Sequence, residues 1–124
     1  MNETSPFKGK TGVKRILNAT QYSLSGFKSA FQGEAAFRQI TLINIVLIPA
    51  TFFLNVSRAE QALMVAACLL ALIVELFNSA IEAVVDRISL ERHELSKNAK
   101  DMGSAAQFVS LSIIFFVWLI ILVR

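Results

Sequence analysis

Three stretches in which apolar residues follow one another almost without interruption divide this 124-residue chain, at about 35–54, 62–85 and 105–123. Each supplies the roughly 20 helical residues that a hydrocarbon core demands, and no other segment does. Pro49 falls inside the first stretch. It is expected to kink that helix without ending it, because neighbouring helices in a bilayer can satisfy the freed backbone group. Ahead of the first stretch the pattern changes. Val13, Ile16, Leu17, Thr20, Leu24, Phe27 and Phe31 recur at intervals of three and four, with Lys14, Arg15, Asn18, Gln21, Ser25 and Lys28 between them. That spacing predicts an amphipathic helix lying on the membrane surface, weakened by Gly26 and hinged at Gly33. The fold class is therefore all-α membrane protein, with a leader and surface helix over 1–33 and a three-span domain over 34–124. Ala62 with Ala66, and Ala67 with Ala71, set small residues four apart on the second span, where helices can approach closely. Three helices bury little by themselves, so an oligomer is expected. Neither an internal repeat nor a low-complexity tract is evident.

Composition agrees with that reading: 55% hydrophobic residues and a mean hydropathy of +0.59 are too apolar for an ordinary soluble fold of this length. The net charge of +3 comes from cations that flank apolar runs, a topology signal and not a nucleic-acid footprint. Lys8, Lys10, Lys14, Arg15, Lys28 and Arg38 precede or open the first span, and Arg87, Arg92, Lys97 and Lys100 separate the second from the third. The other connection, 55–61, holds only Arg58, and Arg124 ends the chain on that same side. Because Lys and Arg resist translocation, the N-terminus and the loop over 87–100 are expected in the cytoplasm, with the Arg58 turn and the C-terminus outside. Trp118 then falls near the outer interface. The polar leader carries no apolar core and cleavage site, so a removed signal peptide is not expected. Cys68, the one cysteine, sits in an apolar run and reads as a packing residue.

The candidate chemistry lies at the end of the second span. Glu75, Asn78, Glu82 and Asp86 are spaced three, four and four, so all four share one helix face. A charged group inside a span costs on the order of 3 kcal/mol on insertion scales, so Glu75 needs a reason to be there. Pairing of Glu75 and Glu82 with Arg38 or a lysine would explain it structurally; a site would explain it chemically, since a partly buried carboxylate is a candidate general base. Beside this seam stand Glu91, His93, Glu94, Lys100 and Asp101, a mixture that on its own reads as a solvated loop. Glu34 opens the first span, where the positive helix N-terminus would favour it. The five glycines form no G-x-x-x-x-G-K-[ST] or G-x-G-x-x-G pattern, and there is no H-R-D catalytic loop. Any nucleotide is therefore bound unconventionally. A lipid-modifying enzyme, a proton or cation pathway and a structural subunit all remain open on these residues alone.

The run Glu75-Leu-Phe-Asn-Ser-Ala-Ile-Glu-Ala-Val-Val-Asp-Arg-Ile88, then His93-Glu-Leu-Ser96 and Ala99-Lys-Asp-Met-Gly-Ser-Ala-Ala106, resembles the prokaryotic integral membrane diacylglycerol kinase family. Tyr22-Ser23 and Glu34-Ala-Ala-Phe-Arg-Gln39 extend the resemblance over nearly the whole chain. It implies an ATP-dependent kinase that converts diacylglycerol to phosphatidate, working as a homotrimer with magnesium as cofactor, in a bacterial inner membrane. By the same resemblance Glu75 matches the catalytic carboxylate, supported by Asn78, and Glu34 and Glu82 match the residues that hold the metal. The nucleotide positions are Arg15, Tyr22, Glu34, Glu82, Glu91, Arg92, His93, Lys100 and Asp101. Lipid positions are Arg15, Ser23, Arg38, Gln39, Glu75, Ser104 and Trp118. A related enzyme phosphorylating undecaprenol is the alternative reading. A proton pathway is disfavoured because no ionisable residue continues the seam between Leu63 and Val74.

Overall fold

Every regular element among residues 11–123, which the computed structural model describes, is helical: α1 (Gly12–Gly33), α2 (Ala35–Ala50), a 3-10 turn (Thr51–Phe53), α3 (Arg58–Ile88) and α4 (Glu94–Leu122). Three segments, Ala35–Phe53, α3 and α4, are long and apolar enough to cross a membrane, as the pattern predicts. Residues 1–10, with Lys8 and Lys10, and Arg124, all expected to bear on orientation, lie outside the described residues. Contacts divide the chain into two units at Gly33–Glu34. The first holds α1, which begins at Gly12 with a φ of +74°, a conformation glycine adopts without strain. Within α1 the hydroxyls of Thr20 and Ser23 donate to the carbonyls of Ile16 and Ala19 one turn earlier, at 3.0 and 2.9 Å.

In the second unit α3 packs against both α2 and α4. Lipid tails are as apolar as leucine, so helices in a bilayer are held by close packing and by polar contacts between them. Both are present. Ile40 of α2, Ala67 and Ala71 of α3 and Ile114 of α4 form the buried core, with Leu47, Leu72 and Trp118 packed on it. Of the two small-residue pairs, Ala67 and Ala71 are the buried one, while Ala62 and Ala66 face outward. Asn44 of α2 donates through Nδ2 to the carbonyls of Ile40 at 3.0 Å and Cys68 at 3.1 Å. Trp118 Nε1 donates to the Met64 carbonyl at 3.3 Å. Large apolar side chains such as Phe77, Phe108 and Ile120 point away from this interior, as they do where lipid is the solvent.

Several boundaries differ from the expectation, α3 among them, which starts at Arg58 and not near 62. Pro49 lies one residue from the end of α2, and the chain tightens at once into the 3-10 turn; the kink anticipated there is in fact a terminus. Proline supplies no N–H to the ladder. The amide of Thr51 and the Thr51 hydroxyl, which donates to the Ile48 carbonyl at 2.7 Å, close the end instead. The connection read as a loop over 87–100 is also much shorter. α3 continues through Ile88, and α4 starts at Glu94, eleven residues before its apolar run. Local side-chain bonds explain why polar residues are helical here. His93 caps α4 by accepting the Leu95 amide at Nδ1, and Lys97 pairs with Asp101 one turn on at 2.7 Å. At its other end α3 begins in a capping box, in which Ser57 Oγ accepts the Glu60 amide and Glu60 accepts the Ser57 amide.

Candidate functional site

The short connection between α3 and α4 makes them an antiparallel pair, and the seam of α3 meets one partner on α4 after another. Asp86 Oδ1 accepts from Lys100 Nζ at 2.8 Å, Asn78 lies against Gly103, and Glu75 Oε2 accepts from Gln107 Nε2 at 2.8 Å. Exposure falls along this ladder. Asp86 is exposed, Glu82 and Asn78 are half-buried, and Glu75 is only 3% exposed. A polar stripe thus runs from water into the interior of an apolar helix pair. Glu75 and Glu82 are two turns apart, roughly 10 Å along the axis.

Glu82 feels three other carboxylates, those of Glu34, Glu75 and Asp86, and the opposing charge of Lys100. Glu34 occupies the N-cap position of α2, yet its side chain makes no capping hydrogen bond. Its carboxylate is therefore not spent on the helix terminus. Asn78 adds a buried Oδ1 with no hydrogen-bond partner, a costly state for a polar atom. Among the described residues no three His, Cys, Asp or Glu side chains are grouped closely enough to hold a metal by themselves. Magnesium takes one or two protein carboxylates and completes its shell with waters and substrate phosphates, and Glu34 and Glu82 are the carboxylates that could supply them.

At the open end, Glu91, Arg92 and His93 of the connection join Asp86, Lys100 and Asp101 around a pocket of about 350 Å³. A second hollow of about 310 Å³, also lined by Glu91, Arg92 and His93, adjoins the same connection. Five of the residues expected near a nucleotide are thus brought together. Because His93 accepts at Nδ1, the neutral ring carries its proton on Nε2. Arg15, Tyr22 and Ser23 lie on α1, in the first unit, where all three are exposed. Arg38 and Gln39 are exposed near the start of α2, and Ser104 is exposed on α4 beside Gly103. Trp118 is not gathered with this group. Its bond to Met64 places it eleven residues before Glu75 on α3, roughly 16 Å along the axis.

The sequence reading overlooked Gly103, Gln107 and Ser110, all buried and all on the side of α4 that faces α3. A signal existed for one of them: Gln107 is the sole amide side chain in the third apolar run, and a polar group at membrane depth calls for explanation.

Residues 21–122 match the family model described as prokaryotic diacylglycerol kinase. A diacylglycerol kinase of Pseudomonas aeruginosa is 74% identical over 118 residues, covering 95% of this chain and 96% of the relative. One from Haemophilus influenzae is 52% identical over 108 residues, with 87% and 92% covered. Another, from Escherichia coli K12, is 44% identical over 112 residues, with 90% and 92% covered. With an acidic ladder buried between spanning helices and likeness along almost its full length, this chain belongs to the prokaryotic diacylglycerol kinase family.

Proposed function

We propose that the protein transfers the γ-phosphoryl group of ATP to the free hydroxyl of diacylglycerol, forming phosphatidate and ADP at the cytoplasmic face of a bacterial inner membrane, as a homotrimer. The observation that carries this reading is Glu75: a carboxylate 3% exposed within a spanning helix, joined through Asn78 and Glu82 to a water-open pocket rich in cations and acids. A lipid alcohol stays at the membrane and a nucleotide stays in water, so the two can react only where such a stripe crosses the boundary.

In this mechanism the Glu75 carboxylate accepts the proton of the lipid hydroxyl as its oxygen attacks the γ-phosphorus. The bond between that phosphorus and the bridging oxygen breaks, and ADP carries away the electron pair. Lys100 and Arg92, lining the pocket, supply the positive charge that holds the phosphates. His93 offers its Nε2 proton to the same end. Asn78 stands on the face between Glu75 and Glu82, its buried, unpartnered Oδ1 against Gly103, and supports the two carboxylates from there. Glu34 and Glu82 are the residues that would hold magnesium. Bound there with the nucleotide, the metal would neutralise charge on the phosphoryl group being transferred. Arg38 and Gln39, exposed at the start of α2, would meet the lipid headgroup region.

Incubation of the purified protein in mixed micelles with labelled ATP and either diacylglycerol or undecaprenol tests the assignment. Label in phosphatidate is expected. Stronger labelling of undecaprenol would transfer the substrate assignment to the polyprenol, and label in neither lipid would end the kinase reading.

A further inference from the structure

Glu75 has a buried partner that the proposed chemistry does not use. Gln107 of α4, 9% exposed, donates through Nε2 to Glu75 Oε2 at 2.8 Å and to the Ala71 carbonyl at 3.2 Å. The Ala71 carbonyl can only accept, so the side of the amide facing α3 must be its NH2 group. Ser110, 2% exposed and one turn further along α4, secures the far side: its hydroxyl hydrogen-bonds to Gln107 Oε1 and also lies 2.9 Å from the Gln107 backbone carbonyl. Both hydrogens of the amide nitrogen are therefore committed, and the single hydrogen of the Ser110 hydroxyl is shared between the amide oxygen and the Gln107 backbone carbonyl.

We infer that Gln107 is a positioning residue for the reaction, clamping one oxygen of the Glu75 carboxylate so that the other faces the lipid hydroxyl, with Ser110 locking the clamp. This rests on the reading of Glu75 as general base. A glutamate carboxylate on three rotatable bonds sweeps a wide arc, and an apolar interior offers few donors to fix it. Gln107 ties it to two points of a rigid helix pair, because the same amide also holds the α3 backbone at Ala71. Geometry of this kind acts on the chemical step and leaves substrate binding alone, since misplacing a catalytic group by about 1 Å costs on the order of a hundredfold in rate.

The experiment replaces Gln107 by methionine, which fills a similar volume and cannot donate, and measures kcat and both KM values in mixed micelles. The Gln107→Met variant is expected to lose about ten- to hundredfold in kcat, with KM for ATP and for diacylglycerol within about twofold. Ser110→Ala, which leaves Gln107 in place but unlatched, should lose less, and Ser110→Thr, which restores the hydroxyl, should regain the rate. Unchanged kcat in both Gln107→Met and Ser110→Ala overturns the inference, as does a rise in KM equal to the loss in kcat. Should Gln107→Met fail to assemble, the Ser110→Ala and Ser110→Thr pair decides by itself. Glu75→Gln in the same assay separates the two layers. If it turns over normally, the general-base reading fails; if it is inactive while the Gln107 and Ser110 variants are unimpaired, the positioning role alone fails.

Discussion

Gly103 of α4 stands where any side chain would collide with the amide of Asn78 on α3. A Cβ built there comes to 3.2 Å from Asn78 Cγ and overlaps Oδ1. The backbone conformation does not demand glycine at this place, since Gly103 lies within a regular helix. Its absence of a side chain is a matter of room.

Gly103→Ala should therefore push the Asn78 amide aside. The atom in the way is the end of a short side chain that can rotate, so the expected loss of stability is modest, about 1 kcal/mol, at the low end of overpacking costs. Turnover should fall further than stability, because Asn78 is displaced from between Glu75 and Glu82. Thermal unfolding in detergent and kcat measured on the same preparations check this. Adding Asn78→Ala to Gly103→Ala should recover the stability without the activity, and no recovery would mean that the strain lies in the backbone.

Glu75→Gln keeps the shape and the hydrogen-bonding capacity that Gln107 requires, since its amide oxygen can still accept from Nε2. The fold should persist. Loss of the negative charge removes the proton acceptor, and at least the roughly hundredfold that general base catalysis contributes should disappear. Size-exclusion elution together with phosphatidate formation measures the two effects. Normal turnover would reduce Glu75 to a helix-pairing residue.

Much of this could be seen in the residues alone, and the limits have physical causes. Hydrophobic run length identified the three spanning helices, and the intervals three, four and four aligned Glu75, Asn78, Glu82 and Asp86 on one face of α3. A run of apolar residues does not mark where a helix stops once it leaves the lipid, so the extension of α4 back to Glu94 was invisible: capping by His93 and the Lys97–Asp101 pair decide it, not hydropathy. Pro49 was placed correctly as a perturbation and wrongly as a kink, because the distance from a proline to the helix end depends on the turn that follows. The facing side of α4 was the least legible part. Gly103 and Ser110 look unremarkable in order along the chain, Gln107 stands out only as an amide in an apolar run, and their roles emerge only when they are opposed to Asn78 and Glu75.

The Asp86–Lys100 contact separates stability from binding. Side-chain exposures of 50% and 43% leave both partners well hydrated, so this ion pair contributes little to folding. Asp86→Asn should unfold close to the parent protein. Lys100→Met removes a cation from the lining of the pocket and should raise KM for ATP about tenfold or more, with little change in thermal unfolding. Steady-state kinetics over an ATP series decides. Equal and small effects of both substitutions on KM would show that Lys100 serves only to fasten α4 to α3.

Magnesium dependence tests the acidic pair. Glu34 has no capping bond to lose, so Glu34→Gln should leave the start of α2 intact, and Glu82→Gln relieves the repulsion among the carboxylates around it. On structural grounds alone both changes are benign or stabilising. If the two side chains hold the metal, each substitution removes a hard anionic oxygen ligand, and the magnesium concentration for half-maximal activity should rise, with partial recovery of rate at high metal. Titrating activity against free magnesium at fixed ATP gives the answer. An unchanged midpoint in both variants would count against the ligand roles, and a loss of rate that no concentration of magnesium restores would place these carboxylates in the chemistry itself.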